Sequence, residues 1–158
     1  MDTTKSKILF GIFLFGLFIT SCGDDFFYKS EVEIPGAKWK SDHVAVFKPE
    51  INDTARIFQI DLSVANNNEY RYSNIWFFIK STSPKGFSHT DTLEVFLAQD
   101  DGKWIGKKEG ELYNFIFPFR NEVRFPEKGI YTFEILQGMR DLELTGIQKI
   151  GFVLKEIQ

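Results

Sequence analysis

Polar and apolar side chains alternate strictly from Phe58 to Val64, within a strand predicted over Arg56 to Val64. Phe58, Ile60, Leu62 and Val64 fall on one face, and Gln59, Asp61 and Ser63 on the other. This is the period-two pattern of an antiparallel strand with one buried and one wet face. Asn66-Asn67-Asn68 predicts a turn, because Asn tolerates left-handed backbone and bonds its own main chain. A second strand is predicted over Tyr70 to Lys80, so the two stretches read as a hairpin. Its centre, Ile75-Trp76-Phe77-Phe78-Ile79, is apolar on both faces and predicts a central strand covered on both sides, with Trp76 in the core. Further strands are predicted at Val44–Val46, at Thr90–Ala98 (Leu93, Val95 and Leu97 on one face), at Glu111–Phe117 ended by Pro118, and around Val123 and Phe125. The last two lie over Ile130–Gln137 (Tyr131, Phe133 and Ile135 inward) and Gln148–Ile157 (Ile150, Phe152 and Leu154 inward). Asp100-Asp101-Gly102-Lys103 is the strongest tight-turn signal, leading into Trp104-Ile105. About 7–9 short strands with frequent turns predict an all-β, antiparallel two-sheet β-sandwich, jelly-roll or immunoglobulin-like.

The pattern before Trp39 is different. Ile8 to Ile19 is a run of twelve residues without a polar side chain, preceded by Lys5 and Lys7 and followed by Thr20-Ser21-Cys22. A positive start, an apolar run and small residues at a cleavage point make a secretory signal peptide over residues 1–21. As a helix the run would span roughly 18 Å, against a hydrocarbon core of about 30 Å. The alternative of an uncleaved membrane anchor is therefore disfavoured. Residues 22–38 read as a lipidated cysteine and tether, and 39–158 as the domain. Within the tether, Asp24-Asp25 reads as a solvated linker or a sorting signal. Phe26-Phe27-Tyr28 either docks on the domain or sits in the lipid interface.

Composition adds three points. The remainder, from Cys22 on, is long enough for one domain to fold without staples, and Cys22 is the only cysteine, so no internal disulfide is available. The 18 Phe, 5 Tyr and 3 Trp favour strands. A net charge of −3 gives no electrostatic footprint for nucleic acid.

Candidate chemistry is sparse, and no enzymatic activity, cofactor or metal is expected. Two histidines, His43 and His89, both expected to be exposed, fall short of a zinc ligand set. Asp91 and Glu94 sit at odd spacing on one strand and point to opposite faces. No phosphate loop or nucleophile elbow is present. Trp104, just after the Asp-Gly turn, and Arg140, between two strands, are candidate binding-surface residues. For Arg140 a structural ion pair is the favoured reading. A glycan is the alternative ligand, stacked on exposed aromatic rings drawn from Trp76, Trp104, Tyr70, Tyr72 and Tyr113, although Trp76 is expected in the core.

Cys22 at the cut resembles the lipobox of bacterial lipoproteins. Further stretches extend the likeness: Trp39-Lys40-Ser41-Asp42, Asn66 through Tyr70 to Ser73-Asn74, and Thr90-Asp91-Thr92-Leu93-Glu94 leading to Gly102-Lys103-Trp104-Ile105-Gly106. Val123 through Pro126-Glu127-Lys128-Gly129 to Glu134, Gln137-Gly138-Met139-Arg140, and Gly146-Ile147 to Gly151 complete it. Together they resemble the GldH family of gliding-motility lipoproteins. The resemblance implies a lipid-anchored envelope protein, at the outer membrane on an undecided face, acylated at Cys22 with palmitate as the expected acyl group. It also implies gliding and secretion proteins of the envelope as partners. It carries over no catalytic residue.

Overall fold

The computed structural model describes residues 26–157. The signal peptide and Cys22 lie outside the described residues. The chain forms thirteen strands: β1 (Tyr28–Glu33), β2 (Lys38–Lys40), β3 (Ala45–Phe47), β4 (Glu50–Ile51), β5 (Ile57–Asn66), β6 (Asn74–Thr82), β7 (Ser88–Phe96), β8 (Lys107–Glu109), β9 (Leu112–Val123), β10 (Gly129–Ile130), β11 (Thr132–Gln137), β12 (Glu143–Thr145) and β13 (Ile147–Ile157). A five-stranded sheet in the order β1-β13-β5-β9-β8 faces a four-stranded sheet in the order β3-β11-β6-β7. Every pairing is antiparallel. The fold is the expected antiparallel sandwich. The strands outside the two main sheets, β2, β4, β10 and β12, are two or three residues long, too short to leave a period in the sequence.

The core is built from the predicted alternations. Phe58, Ile60, Leu62 and Val64 of β5 meet Phe133 and Ile135 of β11 and Ile75, Phe77 and Ile79 of β6 in one cluster. Rings join the two sheets: Phe77 stacks on Phe117 with centroids 6.0 Å apart, and Phe152 lies 5.5 Å from Phe47 and 4.6 Å from Phe133.

Four expectations are corrected. First, β5 and β6 are not a hairpin. β5 pairs with β13 and β9, whereas β6 pairs with β11 and β7, so the 67–73 connection crosses between sheets. Second, β6 is covered on one side only. Trp76 and Phe78 point outward, 37% and 42% exposed, so Trp76 is not a core residue. Third, Pro118 does not end its strand. It lies opposite Asp61 at a register shift in β9, on the side of the strand that β8 does not reach; proline, with no N–H to give, is tolerated at such an edge bulge. Fourth, residues 22–38 are not all tether. Tyr28–Glu33 pairs with β13 along its whole length, and Ile34 and Ala37 are buried. Phe27 packs edge-on against Phe58 at 4.9 Å, and Lys29 and Lys155 lie over the Phe26 ring at 4.9 and 5.6 Å. The aromatic trio docks on the domain, because three rings bury more apolar area there than in water.

The wet face of β5 also departs from expectation at one point. Asp61 is buried, accepts a hydrogen bond from Gln59 Nε2 at 2.6 Å and pairs with Lys155 Nζ at 2.8 Å. A buried carboxylate persists only when paired in this way.

The sandwich has two distinct ends. At one, the chain arrives from the N-terminal segment, and Phe27, Ile57, Ile157, Val123 and the Ser83–Phe87 turn come together. The 67–73 connection, Trp104 and the Gly138–Asp141 loop gather at the other.

Candidate functional site

The end far from the N-terminal entry carries the aromatic and polar residues. Its organising group is Tyr70, which is buried and donates its hydroxyl to Asn74 O at 2.8 Å. Tyr72 and Trp104 flank its ring at 5.8 and 6.3 Å, and Tyr113 extends the row 5.9 Å beyond Trp104. The Trp104 indole N–H donates to Asn68 Oδ1 at 3.0 Å, and Trp104 closes an isolated bridge with Ala98 across the Asp100–Lys103 turn. Trp104 is half-buried, one face against the core, so it is a wall of this end and not a free platform.

Burial pushes the Tyr70 hydroxyl above the ordinary tyrosine range, and the neighbouring Tyr72 and Asp141 add to the shift. The folded state therefore favours the protonated ring. That stability is present below about pH 10, the unfolded value, and is lost as pH climbs toward the folded one. Tyr70→Phe is expected to lower stability by about 1 kcal/mol at neutral pH through the lost hydrogen bond, and to shrink the decline above pH 10. Urea titrations at neutral and alkaline pH check this; an unchanged alkaline slope in the variant would refute it.

Around Tyr72 lies an ion-pair cluster. Arg71 Nη2 donates to Asp141 Oδ2 at 2.7 Å and to Tyr72 Oη at 2.6 Å, with its guanidinium 4.9 Å from the Tyr72 ring centre. Tyr72 donates to the same Asp141 oxygen at 2.8 Å. The Tyr72 bond, then the Asp141 charge, hold the Arg71 guanidinium above its ordinary pKa. The 138–141 loop is fixed from below by buried Gln137, which accepts from Met139 N and donates to Asp141 O, both at 2.7 Å.

Beside this cluster is an open cleft of about 310 Å³ lined by Tyr72, Asn74, Trp76, Gly138, Met139 and Arg140. Met139 Sδ accepts from Trp76 N at 3.4 Å, and Gly138 donates its N–H to Trp76 O at 2.7 Å. A side chain at Gly138 would press on the Phe78 ring at 3.1 Å, so glycine lets the loop lie close under both exposed rings. Asn74 Nδ2 donates to Glu94 Oε1 at 2.6 Å on the outer surface. Arg140 is exposed and forms no ion pair among the described residues, contrary to the expected structural pair. The acid of this loop, Asp141, is held by Arg71 instead.

The structure thus brings Arg140 next to Trp76 and Tyr72, not next to Trp104. Sequence reasoning named Tyr72 among the candidate exposed rings, but it missed Asp141 and placed Trp76 in the core. A usable signal was the polar, aromatic-rich connection Glu69–Asn74, which has too few apolar positions to be the start of a strand. His43 is also unlike its expectation. It is half-buried, with Nε2 enclosed and without a hydrogen-bond partner among the described residues, because the Trp39 indole N–H donates to its carbonyl at 2.8 Å and holds it against the domain. His89 is exposed, 3.4 Å from Asp91. Among the described residues no group of three His, Cys, Asp or Glu side chains converges as a metal site.

Fold and surface together define a sandwich domain presenting an aromatic, hydrogen-bonding end on the side opposite its N-terminal entry. Comparison with known proteins gives the particular family. The family model described as GldH lipoprotein matches residues 27–154, and the chain belongs to that family. It is 29% identical over 153 residues to the gliding motility lipoprotein GldH homolog of Christiangramia forsetii, covering 92% of this chain and 93% of that protein. It is 28% identical over 138 residues to the gliding motility lipoprotein GldH of Flavobacterium johnsoniae, covering 80% and 82%. No solved structure matches the chain.

Proposed function

We propose that this is a lipid-anchored protein of the outer membrane that supports gliding motility as a non-catalytic interaction subunit of an envelope assembly linked to secretion. The observation that carries the reading is the family match along residues 27–154, with relatives named for gliding motility. In this reading Cys22 bears the lipid. Each buried CH₂ of an acyl chain contributes about 0.8 kcal/mol, and two or more chains hold firmly where one does not. The far end of the sandwich then projects away from the membrane, toward a partner. Cys22→Ser is expected to abolish lipid labelling and to move the protein from the membrane to the soluble fraction. Unchanged fractionation with no lost label would sink the anchor. Crosslinking in intact cells that recovers no envelope protein would count against the interaction role.

A second reading, glycan binding, is favoured by one observation: Trp76, Phe78 and Phe96 are exposed on one sheet face, beside the cleft with Tyr72, Asn74 and Arg140. Exposed rings flanked by hydrogen-bonding groups suit the apolar face and the hydroxyls of a sugar. The reading moves the sugar platform from Trp104 to Trp76. Trp76→Ala is expected to cost at least about tenfold in affinity for cell-surface polysaccharide, the equivalent of 1.4 kcal/mol. Equal binding by variant and wild type would remove this alternative.

A further inference from the structure

At the opposite end, between the edges of the two sheets, lies an apolar cavity of about 300 Å³. Ile60, Phe119, Val123, Phe125, Tyr131 and Phe133 form its walls. Its polar groups come from the β6–β7 connection and its flanks, Ser83 and His89 among them, and from the Arg120–Asp91 pair, whose Nη2–Oδ1 distance of 2.5 Å ties β9, past the reach of β8, to edge strand β7. Ser83 Oγ is buried and has no hydrogen-bond partner among the described residues. Buried polar atoms are rarely left unpaired, and an exception calls for an explanation. The volume stands at the lower end of small-molecule sites, roughly 300–1,000 Å³. An apolar-walled space with polar residues at its margin suits a narrow amphiphile, a hydrocarbon chain ending in an ester or amide.

The position of the cavity indicates where such a chain comes from. Phe27, the second described residue, packs on Phe58 at 4.9 Å; Phe58 packs on Phe125 at 5.6 Å, and Phe125 on Tyr131 at 4.6 Å. The last two rings are cavity walls. Contiguous aromatic packing therefore leads from the point where the N-terminal segment arrives to the cavity itself. Cys22 is five residues before Phe27, within at most about 17 Å of chain. The rim also exposes a large apolar side chain, Phe87 at 75%, at this same end of the sandwich.

We propose that the cavity binds a single acyl chain, and that the chain is one of those carried by Cys22 of this same protein. The inference rests on the reading that Cys22 is acylated. Moving one chain from bilayer to cavity exchanges one apolar surrounding for another, so it costs little hydrophobic free energy. The chains left in the bilayer keep the anchor. The consequence is orientation: the domain is drawn end-on against the membrane, with the Trp76 cleft turned outward.

The test uses the full chain in its own cells. Cells are fed a fatty acid bearing a diazirine in its chain and irradiated. The protein is then purified and its peptides are analysed by mass spectrometry. The expected result is an acylated Cys22 peptide cross-linked to peptides containing Phe119, Val123 or Phe133. Val123→Trp, which fills the cavity, is expected to remove these cross-links while circular dichroism and membrane fractionation stay unchanged. Should that variant fail to fold, the wild-type cross-link map decides alone. An acylated Cys22 cross-linked only to phospholipid or to other faces of the domain overturns the inference and leaves the anchor intact. Cavity peptides cross-linked to labelled phospholipid and not to the Cys22 chain overturn it in favour of a free lipid. A Cys22 without acyl groups overturns both the inference and the anchor.

Discussion

Phe152→Ala is expected to lower the unfolding free energy by about 3–5 kcal/mol, the usual cost of removing a buried Phe ring. Phe152 is fully buried in β13 of the five-stranded sheet. Its ring meets Tyr28 of β1 at 6.0 Å, Phe47 of β3 at 5.5 Å and Phe133 of β11 at 4.6 Å. One side chain thus ties the N-terminal strand and both sheets together. Truncation removes transfer free energy and leaves a cavity, and the surrounding rings cannot collapse into it without moving two sheets. Against a total of about 5–15 kcal/mol, this is a large fraction of stability. The check is a urea titration: the midpoint should fall with little change in slope. A loss under about 1 kcal/mol would show that the two sheets are not held at this ring. The effect should also reach the N-terminal segment, since Tyr28 rests on the same ring; faster proteolysis near Phe27 in the variant would report it.

The sequence pattern revealed elements wherever burial was one-sided. β5 and β11 were legible because Phe58 to Val64 and Phe133 to Ile135 alternate with polar residues and the apolar set is buried, Asp61 being the one buried polar exception in that stretch of β5. In β13, Ile150, Phe152 and Leu154 mark the inner face, although Gly151 and Val153 between them are buried too. β6 defeated the same logic. Ile75 to Ile79 is apolar on both faces, and hydrophobicity alone does not tell a covered face from an exposed one that awaits a partner. Trp76 and Phe78 are of the second kind. The false hairpin has a related cause. The patterns of β5 and β6 fix the faces of both strands but say nothing of which sheet each joins, and here the connection crosses the core. In β1, Tyr28, Ser30 and Val32 alternate with Lys29, Glu31 and Glu33; the period was present but weak, because the strand lies at the sheet edge with its inward side chains only half-buried. The candidate site was hardest to read. Asp141 meets Tyr72 across 69 positions of sequence, and only the fold brings Arg140 beside Trp76.

That fold also makes the two ends of the sandwich depend on different parts of the chain. The entry end is held by aromatic packing, which tolerates repacking. The far end is held by hydrogen bonds between loops that must approach closely, and one glycine governs that approach.

Gly146→Ala is expected to be the most damaging small substitution in the molecule, on the order of 3–5 kcal/mol from left-handed strain and overpacking together. Gly146 sits between β12 and β13 at φ +89°, a left-handed conformation that costs other residues about 1–2 kcal/mol. Strain alone is the smaller part. A Cβ there would lie 2.3 Å from Tyr70 N and 2.8 Å from both Glu69 C and Asn67 Oδ1, mostly backbone that cannot swing aside. The same residue donates to Ala37 O at 2.8 Å and accepts from Asn67 N at 2.9 Å, so relief by movement would break the bonds that hold the 67–70 turn. Tyr70 and the aromatic row of the far end rest on that turn. Gly86→Ala is the control. Gly86 has nearly the same φ, +88°, but nothing within 4 Å of its would-be Cβ, so it should lose only the strain of about 1–2 kcal/mol. The pair separates conformational cost from close approach. Equal losses in the two variants would mean that the contact with Tyr70 carries no weight. A much larger loss in Gly146→Ala, with Trp104 fluorescence shifted toward that of an exposed indole, would show that this glycine sets the geometry of the candidate site.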